Sequence, residues 1–214
     1  MFPGIWRRRG TQYGVPGTNH LELVQVTQPA IEPVSLTMVK QQTRIQYPDA
    51  DDLLYFYIGA ARDKIERYLR RALITQTWDL KLDWGPAWIE LPKPPIQSVV
   101  GVYTTGLDNV EVTVPTTTYF VDAATGLVGL NIGQVWPIHR GIAGFRIQYV
   151  CGYGNLASDV PASIRKEILS LVAQFDDIRE QVDLPQATQA MLHPYRVEGG
   201  IRMAKGSSRE DILA

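Results

Sequence analysis

Two periodicities meet in the middle of the first half of the chain. Leu54, Ile58, Ala61, Ile65, Tyr68 and Ala72 step by four and three residues, which predicts one buried face of a helix opened by Pro48 and Asp49 and ending about Leu73. Trp78, Leu80, Leu82 and Trp84 then alternate with Thr77, Asp79, Lys81 and Asp83, which predicts a half-buried strand. The switch from period 3.6 to period 2 falls at Ile74–Thr75 and marks a helix-to-strand junction. A second helical stripe, Ile164, Ile168, Leu171, Phe175, Ile178 and Val182, follows a Cys151-Gly-Tyr-Gly-Asn155 break. Between the stripes the pattern is β-like: Ile96–Tyr103, Val110–Val114, Tyr119–Asp122, Leu127–Asn131 and a last alternation through Phe145, Ile147 and Tyr149. Ala123–Gly126 has hairpin spacing, and Pro92, Pro94 and Pro95 forbid a central strand around Trp88–Leu91.

Shorter elements complete the order. Ser35 is placed to cap a short helix carrying Leu36 and Val39. Ser158 or Asp159 can cap the later helix, with Pro161 in its first turn, and Pro185 allows one more short helix ended by Pro194. The fold class read from this is α+β: a helical core of two N-terminal and two C-terminal helices, an inserted antiparallel β-sheet lobe, and extended arms at both ends. The boundaries are 1–34 for the N-terminal arm, 35–74 for the first helical pair, 75–151 for the β-lobe, 152–194 for the second pair and 195–214 for the tail. Neither helical stripe can hide alone, so the two pairs should pack on one another.

At 214 residues, 45% hydrophobic and 20% charged, the composition is that of a globular protein with one real core. No apolar run is long enough to span a bilayer, and Arg7, Arg8 and Arg9 are not followed by the apolar region of an export signal. The single cysteine, Cys151, excludes an internal disulfide framework and a multi-cysteine zinc site, and fits a reducing compartment. The whole-chain charge is −1, with +3 on residues 1–20 and +1 on 195–214, which leaves −5 on 21–194. Two mildly cationic ends therefore flank an acidic body, which is not the profile of a general polyanion binder.

Candidate chemistry is sparse. His20, His139 and His193 form no ligand-spaced pair, and no phosphate-cradling glycine loop occurs, so no metal and no cofactor is expected. Cys151 with His139 as base is a conceivable nucleophile, but a small buried residue ending a strand explains the cysteine better. Trp78, Trp84, Trp88 and Trp136 could stack on sugars, and a carbohydrate-binding β-module on a helical stalk is the alternative function. Trp78 and Trp84 share parity with Leu80 and Leu82, however, which favours a core face. The basic cluster Arg67, Arg70 and Arg71 suits a solvated helix C-terminus better than a nucleic-acid site. No catalytic constellation emerges, and no enzyme is expected.

Four segments occur in order: Arg71-Ala-Leu-Ile-Thr-Gln-Thr-Trp78, Leu91-Pro-Lys-Pro-Pro-Ile-Gln-Ser-Val99, Tyr149-Val-Cys-Gly-Tyr-Gly154 and Val160-Pro-Ala-Ser-Ile-Arg-Lys-Glu-Ile168. Together they resemble the head–tail connector (adaptor, or head-completion) family of long-tailed bacteriophages and related gene-transfer particles, over roughly Leu23 to Arg196. The resemblance implies a virion structural protein of the neck, made in the bacterial host cytoplasm. It implies a ring of identical copies, twelvefold, beneath the portal protein, with a stopper or tail-completion protein below. Double-stranded DNA would pass through the lumen without sequence-specific binding, and no membrane is involved.

The ends are assigned by inference. The tail is glycine-jointed, mildly basic and apolar at its tip, which suits docking on the portal: Tyr195, Ile201, Met203, Ile212 and Leu213 as anchors, Arg196, Arg202 and Arg209 pairing acidic groups. In the N-terminal arm, Phe2, Trp6, Arg7, Arg8 and Arg9 are assigned to a neighbouring subunit or the next ring.

Overall fold

A computed structural model describes residues 19–45, 47–178 and 183–204. The helices come first. Helix α1 (Leu36–Thr43) is capped as its sequence asks, with the Ser35 hydroxyl accepting from the Met38 N–H at 3.3 Å. A single 3₁₀ turn at Pro48–Ala50 leads into α2 (Asp51–Leu69), whose first turn carries Asp51 and Asp52. Helix α3 (Ala162–Ile178) begins where the Pro161 carbonyl accepts from Ile164 and Arg165, and α4 (Gln186–Leu192) follows. Asp159 caps the preceding 3₁₀ turn rather than α3, accepting from the Leu156 N–H at 2.9 Å.

The described parts of the predicted stripes bury largely as expected, with Phe175 half-buried; Val182 and the side chain of Ile178 lie outside the described residues. Leu54, Ile58, Ala61 and Ile65 of α2 and Ile164, Ile168, Leu171 and Val172 of α3 lie in one apolar core with Val39 and Leu192. The helical pairs therefore pack on each other. The helix end differs from expectation. Helix α2 stops at Leu69, because Arg70 takes a left-handed conformation (φ 56°) and ends the helix without a glycine. Leu69, not Tyr68, is the residue fully buried there, and Tyr68 is half-buried. Beyond the helix end the chain is extended, and it divides its side chains between two cores. Ala72 joins the β-lobe core, while Leu73 and Ile74 join the helical one.

Two antiparallel sheets form the lobe. The larger has the order β1-β2-β8-β4-β5, from β1 (Leu21–Thr27), β2 (Gln76–Leu82), β8 (Phe145–Cys151), β4 (Ile96–Thr105) and β5 (Glu111–Thr113). The smaller has the order β3-β7-β6, from β3 (Trp88–Glu90), β7 (Leu127–Leu130) and β6 (Tyr119–Asp122). Strand β3 is three residues long and lies at the end of its sheet's order, as the prolines after it require. Leu80, Leu82, Val102, Phe145, Ile147, Tyr149 and Cys151 fill the second core. Strand β1 is an addition to the expected picture: the N-terminal arm is not extended throughout but contributes an edge strand, pairing Leu21 with Leu82 and Leu23 with Leu80.

The two crossings between helical core and lobe run side by side. The Tyr153 N–H donates to the Leu73 carbonyl at 2.9 Å, and Thr75 N–H to the Gly154 carbonyl at 3.0 Å. Gly152 sits between them at φ 125°, where an added Cβ would lie 2.6 Å from the Ile74 carbonyl carbon and oxygen, so only glycine fits. Beneath the crossings lies the carboxylate of Glu66, 3% exposed, accepting from the Leu73 N–H at 2.8 Å and from Gln76 Nε2 at 2.9 Å. Burial pushes the Glu66 carboxyl above its usual range, against the opposing pull of the Leu73 N–H and the Arg62 and Lys93 charges.

Candidate functional site

Cys151 ends β8 with no exposed surface, and burial pushes its thiol up to about 12, against a smaller opposing pull from Lys93. A buried, protonated thiol is a poor nucleophile. His139 turns its Nδ1 to the Pro137 carbonyl at 2.7 Å and lies against the Phe145 ring. These two residues are packing elements. The indoles divide. Trp136 donates to the Pro86 carbonyl at 2.8 Å and meets Phe145 edge-on, with ring centroids 4.8 Å apart. Trp78 donates to Gln76 Oε1 at 3.1 Å and carries the Lys93 ammonium 4.5 Å above its ring. Both are built into walls of the lobe core, which works against a sugar platform. Trp88 alone of the four counts as exposed, at 39%. Among the described residues no group of His, Cys, Asp and Glu could hold a metal ion, and no helix is long and apolar enough to cross a membrane.

The tail and the exposed apolar side chains are better defined. The first half of the tail, 195–204, does not hang free, contrary to its glycine-jointed sequence. The Val197 N–H donates to the Leu69 carbonyl at 2.9 Å, which satisfies one of the open carbonyls at the end of α2. The guanidinium of Arg71 bonds the Tyr195 carbonyl, and that of Arg70 bonds the Gly199 carbonyl. The chain then runs antiparallel beside β3: Glu90 N–H donates to the Arg202 carbonyl at 2.8 Å and Ala204 N–H to the Trp88 carbonyl at 3.0 Å. Ile201 and Met203 pack on the lobe core, and Arg202 pairs with Glu90 at 2.6 Å. Of the residues assigned to portal docking, Tyr195, Arg196, Ile201, Arg202 and Met203 thus lie along the protein's own surface. Arg209, Ile212 and Leu213, and also Phe2, Trp6, Arg7, Arg8 and Arg9, lie outside the described residues. The role of Arg70 and Arg71 as tail clamps was not visible in the sequence. Their acceptors are main-chain carbonyls 129 and 124 residues away, and carbonyls carry no sequence signature.

Exposed apolar side chains are scattered over the described surface, and two groups of them stand out. At the tip of the lobe, Leu107, Ile132, Val135, Ile138 and Ile142 are each at least 70% exposed. At the start of α2, Tyr47, Tyr55 and Phe56 are exposed, and Ile31 lies nearby against a cleft that Tyr55 also lines. Groups of exposed apolar side chains of this kind are candidate protein contacts. The described chain begins beside the lobe tip. Asn19 bonds the main chain of Asp83 and Trp84, and the Asp83 carboxylate accepts from His20 N–H at 3.2 Å and from Ala143 N–H at 3.0 Å. On the polar face of the large sheet, Arg146 bridges Asp79 (3.2 Å) and Glu111 (2.6 Å) across β2, β8 and β5 and lies over the Tyr103 ring. Its hydrogen bonds hold the Glu111 carboxyl below the usual carboxylate range.

This geometry is shared with known particle components. Residues 33–119, from α1 through the start of β6, match the model of a family described as phage gp6-like head-tail connector protein. The chain is similar to the gp6-like head–tail connectors. The resemblance carried by the four sequence segments stands, although two of them, Tyr149–Gly154 and Val160–Ile168, lie beyond the matched range. Among solved structures the fold recurs in the neck of an empty gene transfer agent (GTA) particle computed with C6 symmetry. The TM-score is 0.70 at 22% identity, over 84% of this chain and 98% of that one. It recurs in the virion of the native GTA particle (TM-score 0.66, 23% identity, 83% and 98% covered). The neck of the native particle computed with C12 symmetry gives a TM-score of 0.64 at 24% identity, with 84% and 98% covered. At these identities the likeness shows a shared fold alone. No curated protein matches the chain.

Proposed function

We propose that the protein is a head–tail connector: a virion structural component that forms a ring of identical copies in the neck of a tailed particle, between the portal and the stopper or tail proteins. The observation that carries this is the match of the fold to a particle-neck component along 98% of that component's length, with the connector family model on residues 33–119 beside it. The ring is twelvefold in this reading, and DNA passes through its lumen. Closure of a ring needs a heterologous contact, one patch meeting a different patch on the next copy. The lobe tip and the start of α2 supply two such unlike apolar patches. The acidic body, −5 over 21–194, suits a channel through which DNA must slide, because each cation set against a phosphate adds affinity. Catalysis has no part in this role.

The terminal assignments adapt to the geometry. Portal docking falls to the segment beyond Ala204, with Arg209, Ile212 and Leu213, while Tyr195–Met203 form the mount from which it starts. Phe2, Trp6 and Arg7–Arg9 reach a neighbouring subunit or the next ring from the lobe tip, where Asn19 fixes the point of departure. The test is direct: purified protein is mixed with portal and imaged by negative stain. An added ring on the portal is expected, lost on deletion of 205–214 while the fold persists. Portal particles that stay bare with the intact chain would refute the connector role, and full binding by the deletion variant would refute the docking assignment.

A further inference from the structure

Beside the C-terminal end of α2 lies an open cleft of about 530 Å³, lined by Tyr68, Gln189, Ala190, His193, Pro194 and Arg196. Its walls are set by bonds already described. The Arg196 N–H closes the 3₁₀ turn at His193–Tyr195, donating to the His193 carbonyl at 3.0 Å, and the next residue is pinned to Leu69. Tyr68 is fixed by its hydroxyl, which donates to the Gln189 carbonyl at 3.2 Å. The Arg196 guanidinium lies 5.0 Å over the Tyr68 ring. It makes no side-chain hydrogen bond to any described residue, and its Nε is buried without a partner among them. Other arginines of the fold are committed: Arg70 and Arg71 to tail carbonyls, Arg62 to Glu32, Arg146 to Asp79 and Glu111, Arg202 to Glu90. The acid on this segment, Glu198, lies 3.9 Å from His193 Nε2, not against Arg196.

We propose that this cleft is a receptor for one acidic side chain, Asp or Glu, of a partner polypeptide. Two sides of the site support that chemistry. A guanidinium set over an aromatic ring has already lost part of the rotamer freedom that binding would otherwise cost, and its outer nitrogens bond no described residue. Its fork matches a carboxylate bidentately. The surroundings, Ala190, Pro194 and the Tyr68 ring, are apolar and take the stem of a side chain. A nucleic-acid strand is a poorer fit, since backbone tracking needs a run of available cations and this cleft offers one guanidinium and one imidazole. In the connector role, on which the identity of the partner rests, the acid belongs to a neighbouring ring protein that meets the tail mount.

The test uses the intact chain and two probes, N-acetylglutamate N-methylamide and inorganic phosphate, followed by the arginine Nε–H resonances and the Ala190 amide. Exposed Arg44 serves as the internal reference. Expected is a saturable shift of Arg196 and Ala190 at low-millimolar glutamate probe, at least tenfold tighter than at Arg44. In Arg196→Lys the Ala190 response should weaken at least tenfold, with the remaining spectrum unchanged. Arg196 merely tracking Arg44, an unweakened Arg196→Lys, or phosphate binding where the glutamate probe does not, would each overturn the proposal. None of these readouts involves the portal. Their failure leaves the connector role standing, and bare portal particles would leave a measured carboxylate site standing.

Discussion

Glu66 offers the sharpest trial of how the two cores are joined. Its Oε1 accepts from the Leu73 N–H and from Gln76 Nε2, at 2.8 and 2.9 Å, in a place with almost no solvent access. In Glu66→Leu both donors are left buried and unpaired, at about 1–3 kcal/mol each. Removing a carboxylate that burial disfavours offsets part of this, so the net loss should be about 2–4 kcal/mol. Glu66→Gln keeps an acceptor oxygen and carries no charge, so it should lie within about 1 kcal/mol of the parent at neutral pH. The pH dependence has a definite sign. The folded-state pKa of Glu66 is raised above its ordinary value of 4.5, so the folded protein holds that proton more tightly than the unfolded chain does. This stabilisation is complete below 4.5 and is lost as pH climbs through the raised pKa. Glu66→Gln should therefore gain on the parent as pH rises from 4.5 to 7.5. Glu32, also raised by burial, keeps its own slope in both proteins. Urea unfolding followed by tryptophan emission at several pH values measures all of this. Equal losses from Leu and Gln, or a parent that gains on Glu66→Gln with rising pH, would refute the acceptor role.

Four other outcomes follow from the same geometry. Gly152→Ala places a Cβ 2.6 Å from main-chain atoms of Ile74 at a φ of 125°, and should cost at least about 2 kcal/mol in urea unfolding. A loss under 0.5 kcal/mol would show that the paired crossings can separate cheaply. The Cys151 thiol, buried and raised to about 12, should resist a disulfide reagent at pH 8 until the protein is unfolded; rapid labelling of the native state would contradict its core position. Ending the chain after Ala204 should leave the thermal midpoint nearly unchanged. Ending it after Pro194 removes the Leu69 and Arg71 bonds and the strand beside β3, and should lower the midpoint by roughly 5–10 °C, read by calorimetry. Ile138→Ser, at a side chain 78% exposed, should change stability by less than about 0.5 kcal/mol; a large loss in the isolated protein would mean that the lobe tip is covered.

What was legible in the sequence, and what was not, follows from the range of the signals. The helical stripes were legible because a helix writes its buried face at fixed spacing, and Leu54, Ile58, Ala61, Ile65, Ile164, Ile168 and Leu171 fell where that spacing put them. Strand β1 was hidden because Val24 and Val26 share a parity opposite to Leu21 and Leu23, and because a bulge between Gln25 and Thr27 breaks its register. The end of α2 was misplaced by four residues because Arg70 adopts a left-handed turn that a glycine would have announced. Ala72 also fits the helical spacing while its side chain serves the other core. The exposed apolar groups and the seat of the tail were the least legible. Exposed isoleucines such as Ile132 and Ile138 have no periodic neighbours, and the mount for the tail is made by main-chain carbonyls.

The four segments that carry the family resemblance gather at one place in the fold, which bears on what such a resemblance can say. Arg71–Trp78 and Tyr149–Gly154 contain the two crossings and bond to each other through Leu73, Thr75, Tyr153 and Gly154. Leu91–Val99 closes over them: the Pro95 carbonyl accepts from Gly152 N–H at 2.9 Å, the Pro92 carbonyl from the Tyr149 hydroxyl at 3.0 Å, and Gln97 Nε2 reaches both Thr75 and Gly152. Val160–Ile168 continues from the second crossing into the helical core. These contacts tie the two crossings and the end of β8 to one another and to Leu91–Val99, at the place where the lobe meets the helices. The pattern therefore marks the joint that keeps the two bodies in fixed relation, the property a ring subunit needs if its contacts are to close after a set number of copies. In the proposed connector role, the surfaces left to choose partners are the lobe tip, the start of α2 and the two ends of the chain. They lie outside the joint and are free to differ between particles that share it.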